Sequence, residues 1–160
     1  MSQQKTSEQY AGIHAWMPAI PAIWPLAESR RQGWHMLLVE DEASDVALAA
    51  TMLDKSMPDY AWQILDRPSL SAAIGMLQRV KFDMALVDLS LQDVAGVETV
   101  SILRAAAPEL PIVVYSGSSN MDLLNEAITA GAQFCIEKGL TDAKLVRAMI
   151  QCAMDSGLAH

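Results

Sequence analysis

Short apolar runs alternate along the chain with longer stretches in which apolar residues recur every three to four positions. The runs are typical of strands covered on both faces of a sheet, and the longer pattern is typical of amphipathic helices. From residue 35 onward, each of five runs is followed by one helical stretch. The predicted strands are residues 36–39, 61–65, 84–87, 112–115 and 134–136.

Cap and stop residues set the expected ends of the helices. Ser69 is placed to cap the second helix, and Ser119 or Asn120 to cap the fourth, which Gly131 ends. Thr141 is expected to open the last helix. The faces predicted to be buried carry Val46, Ala47, Ala50 and Leu53 in the first helix and Leu145, Val146, Met149 and Ile150 in the last.

Strands that alternate with helices predict a parallel sheet with helices on both of its faces. Five such units fit a flavodoxin-like, doubly wound (βα)5 α/β fold with the strand order 2-1-3-4-5. The expected organisation is an irregular Trp/Pro-rich extension at residues 1–34, the α/β domain at residues 35–155 and a short tail at residues 156–160. Little chain follows the last helix, so no separate output domain is expected within this sequence.

The extension raises the question of a membrane segment, because residues 10–27 carry no acidic or basic side chain apart from His14. That length is sufficient to cross a bilayer. However, Pro18, Pro21 and Pro25 would break the helix that a membrane requires. We therefore expect no membrane insertion and a cytoplasmic protein. Two interpretations of the extension stay open: its tryptophans pack in a groove of this protein or of a partner, or it is a flexible addition.

Charge and cysteine usage exclude two further classes of site. The net charge of −8 disfavours direct binding of nucleic acids, because their phosphates would be repelled. Cys135 and Cys152 lack the spacing of a metal site and are expected to be free thiols.

Chemically active side chains follow four of the five predicted strands. Because ligands of open α/β sheets bind at the carboxyl ends of the strands, we expect these side chains to converge. Neighbouring carboxylates repel one another, and a hard divalent cation such as Mg²⁺ offsets that repulsion. An aspartate beside a cation and an ammonium is also suited to accept a phosphoryl group. The residues are Glu40, Asp41 and Glu42 after the first strand, Asp88 after the third, Ser116 and Gly117 after the fourth, and Glu137 and Lys138 after the fifth.

From residue 36 to residue 154 the sequence resembles the receiver-domain family of two-component signalling, whose members are response regulators. The resemblance lies in four stretches taken in order. They are residues 37–42 (LLVEDE), residues 88–93 (DLSLQD) with Gly96, residues 111–117 (PIVVYSG) and residues 131–138 (GAQFCIEK).

The resemblance implies a role for each matching residue. Asp88 resembles the phosphoacceptor, Ser116 the hydroxyl that bonds the phosphoryl group, and Lys138 the lysine that pairs first with Asp88 and then with a phosphoryl oxygen. Asp41 is favoured over Glu40 as a direct ligand of Mg²⁺. The full set of metal ligands implied is Glu40, Asp41, Asp88 and the backbone carbonyl oxygen of Ser90.

The same resemblance implies phosphorelay signalling. A sensor histidine kinase or a histidine phosphotransfer protein would supply the phosphoryl group, and the phosphorylated domain would switch its contact with a downstream protein that the sequence does not identify. The chain would then be no enzyme in the ordinary sense, since it would catalyse only its own phosphoryl transfer and hydrolysis.

Two residues depart from the family pattern. Cys135 stands where the family commonly has an aromatic residue that changes rotamer on activation, and Gly139 stands where proline commonly follows the lysine. A lysine followed by glycine resembles receivers that are joined to further signalling domains, so this chain is also interpreted as a possible module of a longer regulator.

Two other functions compete with phosphorelay signalling. Cys135 and the unusual extension favour a receiver-fold module that binds a partner without phosphorylation. A phosphatase with an aspartate nucleophile is disfavoured, because Ser90 stands where such enzymes have a second aspartate and no phosphate-binding glycine loop is present.

Overall fold

The computed structural model describes residues 33–158, which form five strands and five helices. The strands are β1 (Trp34–Val39), β2 (Trp62–Arg67), β3 (Met84–Val87), β4 (Ile112–Ser116) and β5 (Phe134–Glu137). The helices are α1 (Ala43–Ser56), α2 (Leu70–Leu77), α3 (Glu98–Ala106), α4 (Met121–Ala130) and α5 (Ala143–Leu158).

All five strands are parallel and lie in the order β2-β1-β3-β4-β5. The predicted α/β class and strand order are confirmed. Consecutive residues of a strand point to opposite faces, so Leu37 and Val39 pack in one core cluster with α2, α3 and α4. Met36 and Leu38 pack in the second cluster, with α1 and α5. Because the chain order reverses beside β1, a crevice opens between the carboxyl ends of β1 and β3.

The helix caps agree with the predictions in three cases and differ in one. The Ser69 side chain accepts a hydrogen bond from the Ala72 N–H, and Gly131 ends α4 with a φ of 125°. Asn120 rather than Ser119 caps α4. The last helix begins after Asp142, whose carboxylate accepts the Leu145 N–H, so the prediction that Thr141 opens it was wrong.

Two predicted helix faces were wrong in part. In α1, Ala47 is exposed, whereas Ala49 and Met52 are buried. This alanine-rich helix offers little contrast between its sides, so spacing alone did not fix its buried face. In α5, Val146 is buried as predicted, but Leu145 is 47% exposed because one position corresponds to about 100° around a helix.

The extension predicted at residues 1–34 lies outside the described residues except for its last two positions. Across residues 33–158, no helix has both the length and the apolar character needed to cross a membrane.

Candidate functional site

Two buried acids lie side by side at the carboxyl ends of β1 and β3. The Glu40 N–H donates to the Arg67 carbonyl, and the Asp88 N–H donates to the Val39 carbonyl. These bonds extend the sheet by one residue and fix both backbones at its edge. Glu40 is 2% exposed and Asp88 is 4% exposed. The fold therefore removes two carboxylates from water at neighbouring positions.

Asp41 completes a group of three acids with Glu40 and Asp88. One carboxylate oxygen from each residue lies within 4.8 Å of the others, and Asp41 itself is half-buried. Burial raises the pKa of Glu40, and the nearby Asp88 carboxylate acts in the same direction, although hydrogen bonds from Lys138 and Glu42 act against it. The three acids offer carboxylate oxygens, which are the ligands that Mg²⁺ prefers.

Lys138, which follows the edge strand β5, supplies the compensating positive charge. Its backbone N–H donates to the Ser116 carbonyl at 2.8 Å, which places the residue at the carboxyl ends of β4 and β5. Its Nζ donates to Glu40 Oε2 at 2.8 Å and lies 3.4 Å from Asp88 Oδ2. The side chain is 13% exposed, and Nζ is 5.9 Å from the centroid of the Tyr115 ring.

A fourth acid, Asp45, was missed by the sequence analysis. Asp45 lies in the first turn of α1, and its Oδ2 accepts a hydrogen bond from Lys138 Nζ at 2.9 Å. Burial works against the charge on Lys138, but its hydrogen bonds to Glu40 and Asp45 outweigh that effect and hold its pKa above the usual value. Acids are common in a first helical turn because of the helix dipole, so spacing gave no specific signal for this contact.

Ser116 and Gly117 lie at the end of β4, next to β3. Ser116 is 2% exposed, and its Oγ accepts the Ser118 N–H at 3.2 Å. Gly117 is exposed, and a Cβ added there would meet no atom within 4 Å. The side of the crevice at β4 therefore has a buried hydroxyl beside open space.

The loop after β3 folds back toward Asp88. The Ser90 N–H donates to Asp88 Oδ1 at 3.2 Å, which orients the carboxylate. The Gly96 N–H donates to the Leu89 carbonyl at 2.7 Å, and Gly96 has a φ of 71°, in the left-handed region that glycine adopts most readily. The role of the Ser90 carbonyl oxygen as a metal ligand stays a prediction.

Cys135 and Phe134 occupy opposite faces of β5. The half-buried Cys135 packs against the cluster that includes α4, and its Sγ lies 3.8 Å from the Leu124 carbonyl oxygen. Phe134 packs against the other cluster. Burial raises the pKa of the Cys135 thiol, so its reactive thiolate form is disfavoured. Phe134 thus cannot replace an aromatic ring on the Cys135 side of the sheet.

Known sequences resemble this chain over the same region. The family model for the response regulator receiver domain matches residues 36–150. Transcription factor SKN7 of Saccharomyces cerevisiae is 32% identical over 95 residues, which are 59% of this chain and 15% of that protein. The alginate biosynthesis transcriptional regulatory protein AlgB of Pseudomonas aeruginosa is 30% identical over 104 residues, which are 65% of this chain and 22% of that protein. The chain thus spans less than a quarter of either relative.

Solved structures share the fold at low sequence identity. A CheY-like response regulator receiver domain protein from Methanospirillum hungatei JF-1 has a TM-score of 0.63 and 18% identity, with 80% of this chain and 99% of that chain covered. A response regulator receiver domain protein from Clostridium thermocellum has a TM-score of 0.66 and 16% identity, with 79% and 98% covered.

Proposed function

This chain belongs to the response regulator receiver domain family, and from that premise we propose that it accepts a phosphoryl group on Asp88 in a Mg²⁺-dependent reaction. The observation that carries the proposal is the position of Asp88, buried beside Glu40 and Asp41 with the Lys138 ammonium 3.4 Å from its Oδ2. The acceptor, an acidic pocket and a cation are thereby adjacent at one edge of the sheet.

The reaction that suits this geometry is transfer from a phosphorylated histidine. A carboxylate oxygen of Asp88 forms a bond to phosphorus while the bond from phosphorus to the donor's imidazole nitrogen breaks. The Ser90 N–H holds Asp88 Oδ1 in a fixed orientation, which lowers the entropic cost of reaching the donor. Lys138 stabilises negative charge on the transferring oxygens, and the Ser116 hydroxyl bonds one of them after transfer.

The acidic pocket fits the cation that receiver domains generally bind. Glu40, Asp41 and Asp88 offer closely spaced carboxylate oxygens. Burial, together with the nearby Asp88 carboxylate, raises the pKa of Glu40, which supports a site for a compensating cation. We propose these three residues and the Ser90 carbonyl oxygen as the ligands, with Asp41 the most accessible of the acids. Bound Mg²⁺ would neutralise charge on the phosphoryl group as it moves.

The phosphoryl donor and the effect of phosphorylation are inferred from membership of the family. We propose that a sensor histidine kinase or a histidine phosphotransfer protein phosphorylates this domain, and that the product changes a protein–protein contact. SKN7 and AlgB, the two relatives described above, are much longer than this chain. This supports the idea that the domain acts on a further domain or on a separate downstream protein.

The proposal is tested by incubating the full chain with phosphoramidate and Mg²⁺ and measuring its intact mass. We expect one added phosphoryl group in the wild type, none in Asp88→Asn, and little in the wild type with EDTA. Asp54→Asn is a matched control, because Asp54 is exposed on α1. Absence of the added mass from the wild type, or its persistence in Asp88→Asn, would refute the proposal.

A further inference from the structure

The Lys138 ammonium donates its hydrogen bonds to residues other than Asp88. It donates to Glu40 Oε2 at 2.8 Å and to Asp45 Oδ2 at 2.9 Å. Asp88 Oδ2, at 3.4 Å, is the most distant of its three carboxylate contacts and receives no such hydrogen bond among the described residues. In this state, two acids at the junction between β1 and α1 hold the cation that the phosphoryl group needs.

The two acids differ in how easily they can release Lys138. The Glu40 side chain is 1% exposed, so losing its cation would leave a buried charge without compensation. The Asp45 side chain is 30% exposed, so water can replace the ammonium around it at little cost. Asp45 is therefore the contact that breaks when Lys138 turns to a new anion.

We propose that Asp45 is a positioning residue that competes with the phosphoryl group for Lys138 and so slows phosphorylation of Asp88. This inference rests on the proposed function. Asp45 makes no contact with Asp88 among the described contacts, and it acts by holding the Lys138 ammonium. Its removal should leave Lys138 with one strong bond and a free donor directed at the crevice.

The test compares initial rates of Asp88 labelling by phosphoramidate in excess Mg²⁺. Asp45→Ala should accelerate labelling about two- to fivefold, the range expected for releasing a partly exposed ion pair. Asp45→Asn should fall between Asp45→Ala and the wild type, because an amide oxygen is a weaker acceptor for an ammonium than a carboxylate. Asp45→Glu, which keeps the charge, should restore most of the slow rate.

Controls separate this mechanism from general repulsion between Asp45 and an anionic donor. Asp54→Asn removes one negative charge from the same helix away from Lys138 and should leave the rate unchanged. In a Lys138→Met background, Asp45→Ala should no longer accelerate labelling, whereas simple repulsion would persist there. Salt gives a second readout: repulsion fades at high ionic strength, and release of a hydrogen bond largely does not.

Four outcomes are distinguishable. Acceleration that needs Lys138 and survives salt supports the role of Asp45. Equal rates for wild type and Asp45→Ala, with normal labelling of Asp88, would overturn that role alone. Acceleration that persists in the Lys138→Met background or disappears at high salt would overturn that role as well, because it would indicate simple repulsion of the donor. Absence of label from both proteins would overturn the proposed function and this inference with it.

Discussion

The carboxyl-end edge of the sheet and its amino-end edge both carry charged side chains, but they differ in how the charges are compensated. At the carboxyl end, the buried Glu40 and Asp88 share the ammonium of Lys138. At the amino end, Arg147 pairs with the exposed Asp59. A further acid at the amino end, Asp83, has a buried side chain that accepts the His35 backbone N–H at 2.9 Å. In the part of the chain that the structure describes, the closely grouped acids Glu40, Asp41 and Asp88 lie at the carboxyl end.

Packing and hydrogen bonds to neutral acceptors dominate the amino end. Beside β1 and β2, the ring centroids of Trp34, Tyr60 and Trp62 lie 5.2 to 6.4 Å apart. Before β4 and β5, the half-buried Arg104 donates only to neutral oxygens in the contacts described. These acceptors are the carbonyls of Ala107, Pro108, Leu110 and Gly131 and the Gln133 side chain.

This difference between the two edges separates residues that mainly set the stability of the fold from residues that carry its proposed chemistry. Buried like charges cost stability, and a fold retains them where its chemistry requires them. Changes at the amino end should therefore alter the free energy of unfolding and leave phosphorylation unchanged. Changes at the carboxyl end should alter both, and their effect on stability should depend on Mg²⁺.

The largest effect is expected for Lys138→Met. Without the ammonium, Glu40 and Asp88 remain buried with uncompensated charge, and the free energy of unfolding should fall by about 3–5 kcal/mol in EDTA. Mg²⁺ at a hundredfold excess over its Kd should restore about 2.7 kcal/mol through binding to the folded state alone. Urea denaturation with and without the cation measures both values.

Lys144→Met is the matched control for that experiment, because Lys144 is an exposed lysine of α5. It should change neither stability nor the response to Mg²⁺. Failure of Mg²⁺ to stabilise Lys138→Met would contradict an acidic pocket that Lys138 shares with the cation.

Most of the carboxyl-end site was predictable because topology alone brings it together. Once β1, β3, β4 and β5 were recognised as parallel, Glu40, Asp88, Ser116 and Lys138 had to lie at or just after strand ends at one edge. Asp45 was not predictable, since its contact with Lys138 depends on how α1 packs against the sheet. The same packing decides that Ala49 rather than Ala47 is buried, which an alanine-rich pattern does not reveal.

At the amino end, Trp62→Ala should cost about 2–3 kcal/mol, somewhat less than a fully buried ring, because Trp62 is half-buried. Trp62→Phe should cost much less. Among residues 33–158, the indole N–H of Trp62 is buried without an acceptor, so replacing it removes an unmet hydrogen-bonding group. Thermal and urea denaturation measure the pair, and phosphorylation of Asp88 should proceed at the wild-type rate in both. Slower phosphorylation of Asp88 in either folded variant would contradict the expectation that changes at the amino end leave phosphorylation unchanged.

Arg104→Met should lower the free energy of unfolding by about 2 kcal/mol, because it removes charge-assisted bonds that join the ends of α3 and α4 to β4 and β5. Arg104→Lys should recover little of this loss, since an ammonium lacks the planar fork that reaches Leu110 and Gly131 together. Full recovery in Arg104→Lys would show that charge rather than geometry matters there. Urea denaturation again provides the measurement.

The smallest effect is a pH dependence of opposite sign at the two edges. Glu40 has a raised pKa in the folded state, so folding gains stability as the pH falls through that value toward 4.5. Hydrogen bonding with Arg147 lowers the pKa of Asp59 from 3.8 to about 2, so its contribution is present above 3.8 and is lost as the pH falls through about 2.

Urea denaturation in EDTA should resolve these two windows. The difference in stability between wild type and Asp59→Asn should be constant near neutral pH and should close as the pH falls from 3.8 toward 2. Relative to Glu40→Gln, the wild type should gain stability on the way down to pH 4.5, because only the wild type takes up a proton at this buried position. A loss of stability with falling pH in both pairs would mean that the carboxyl-end edge compensates its negative charge as fully as the amino-end edge does.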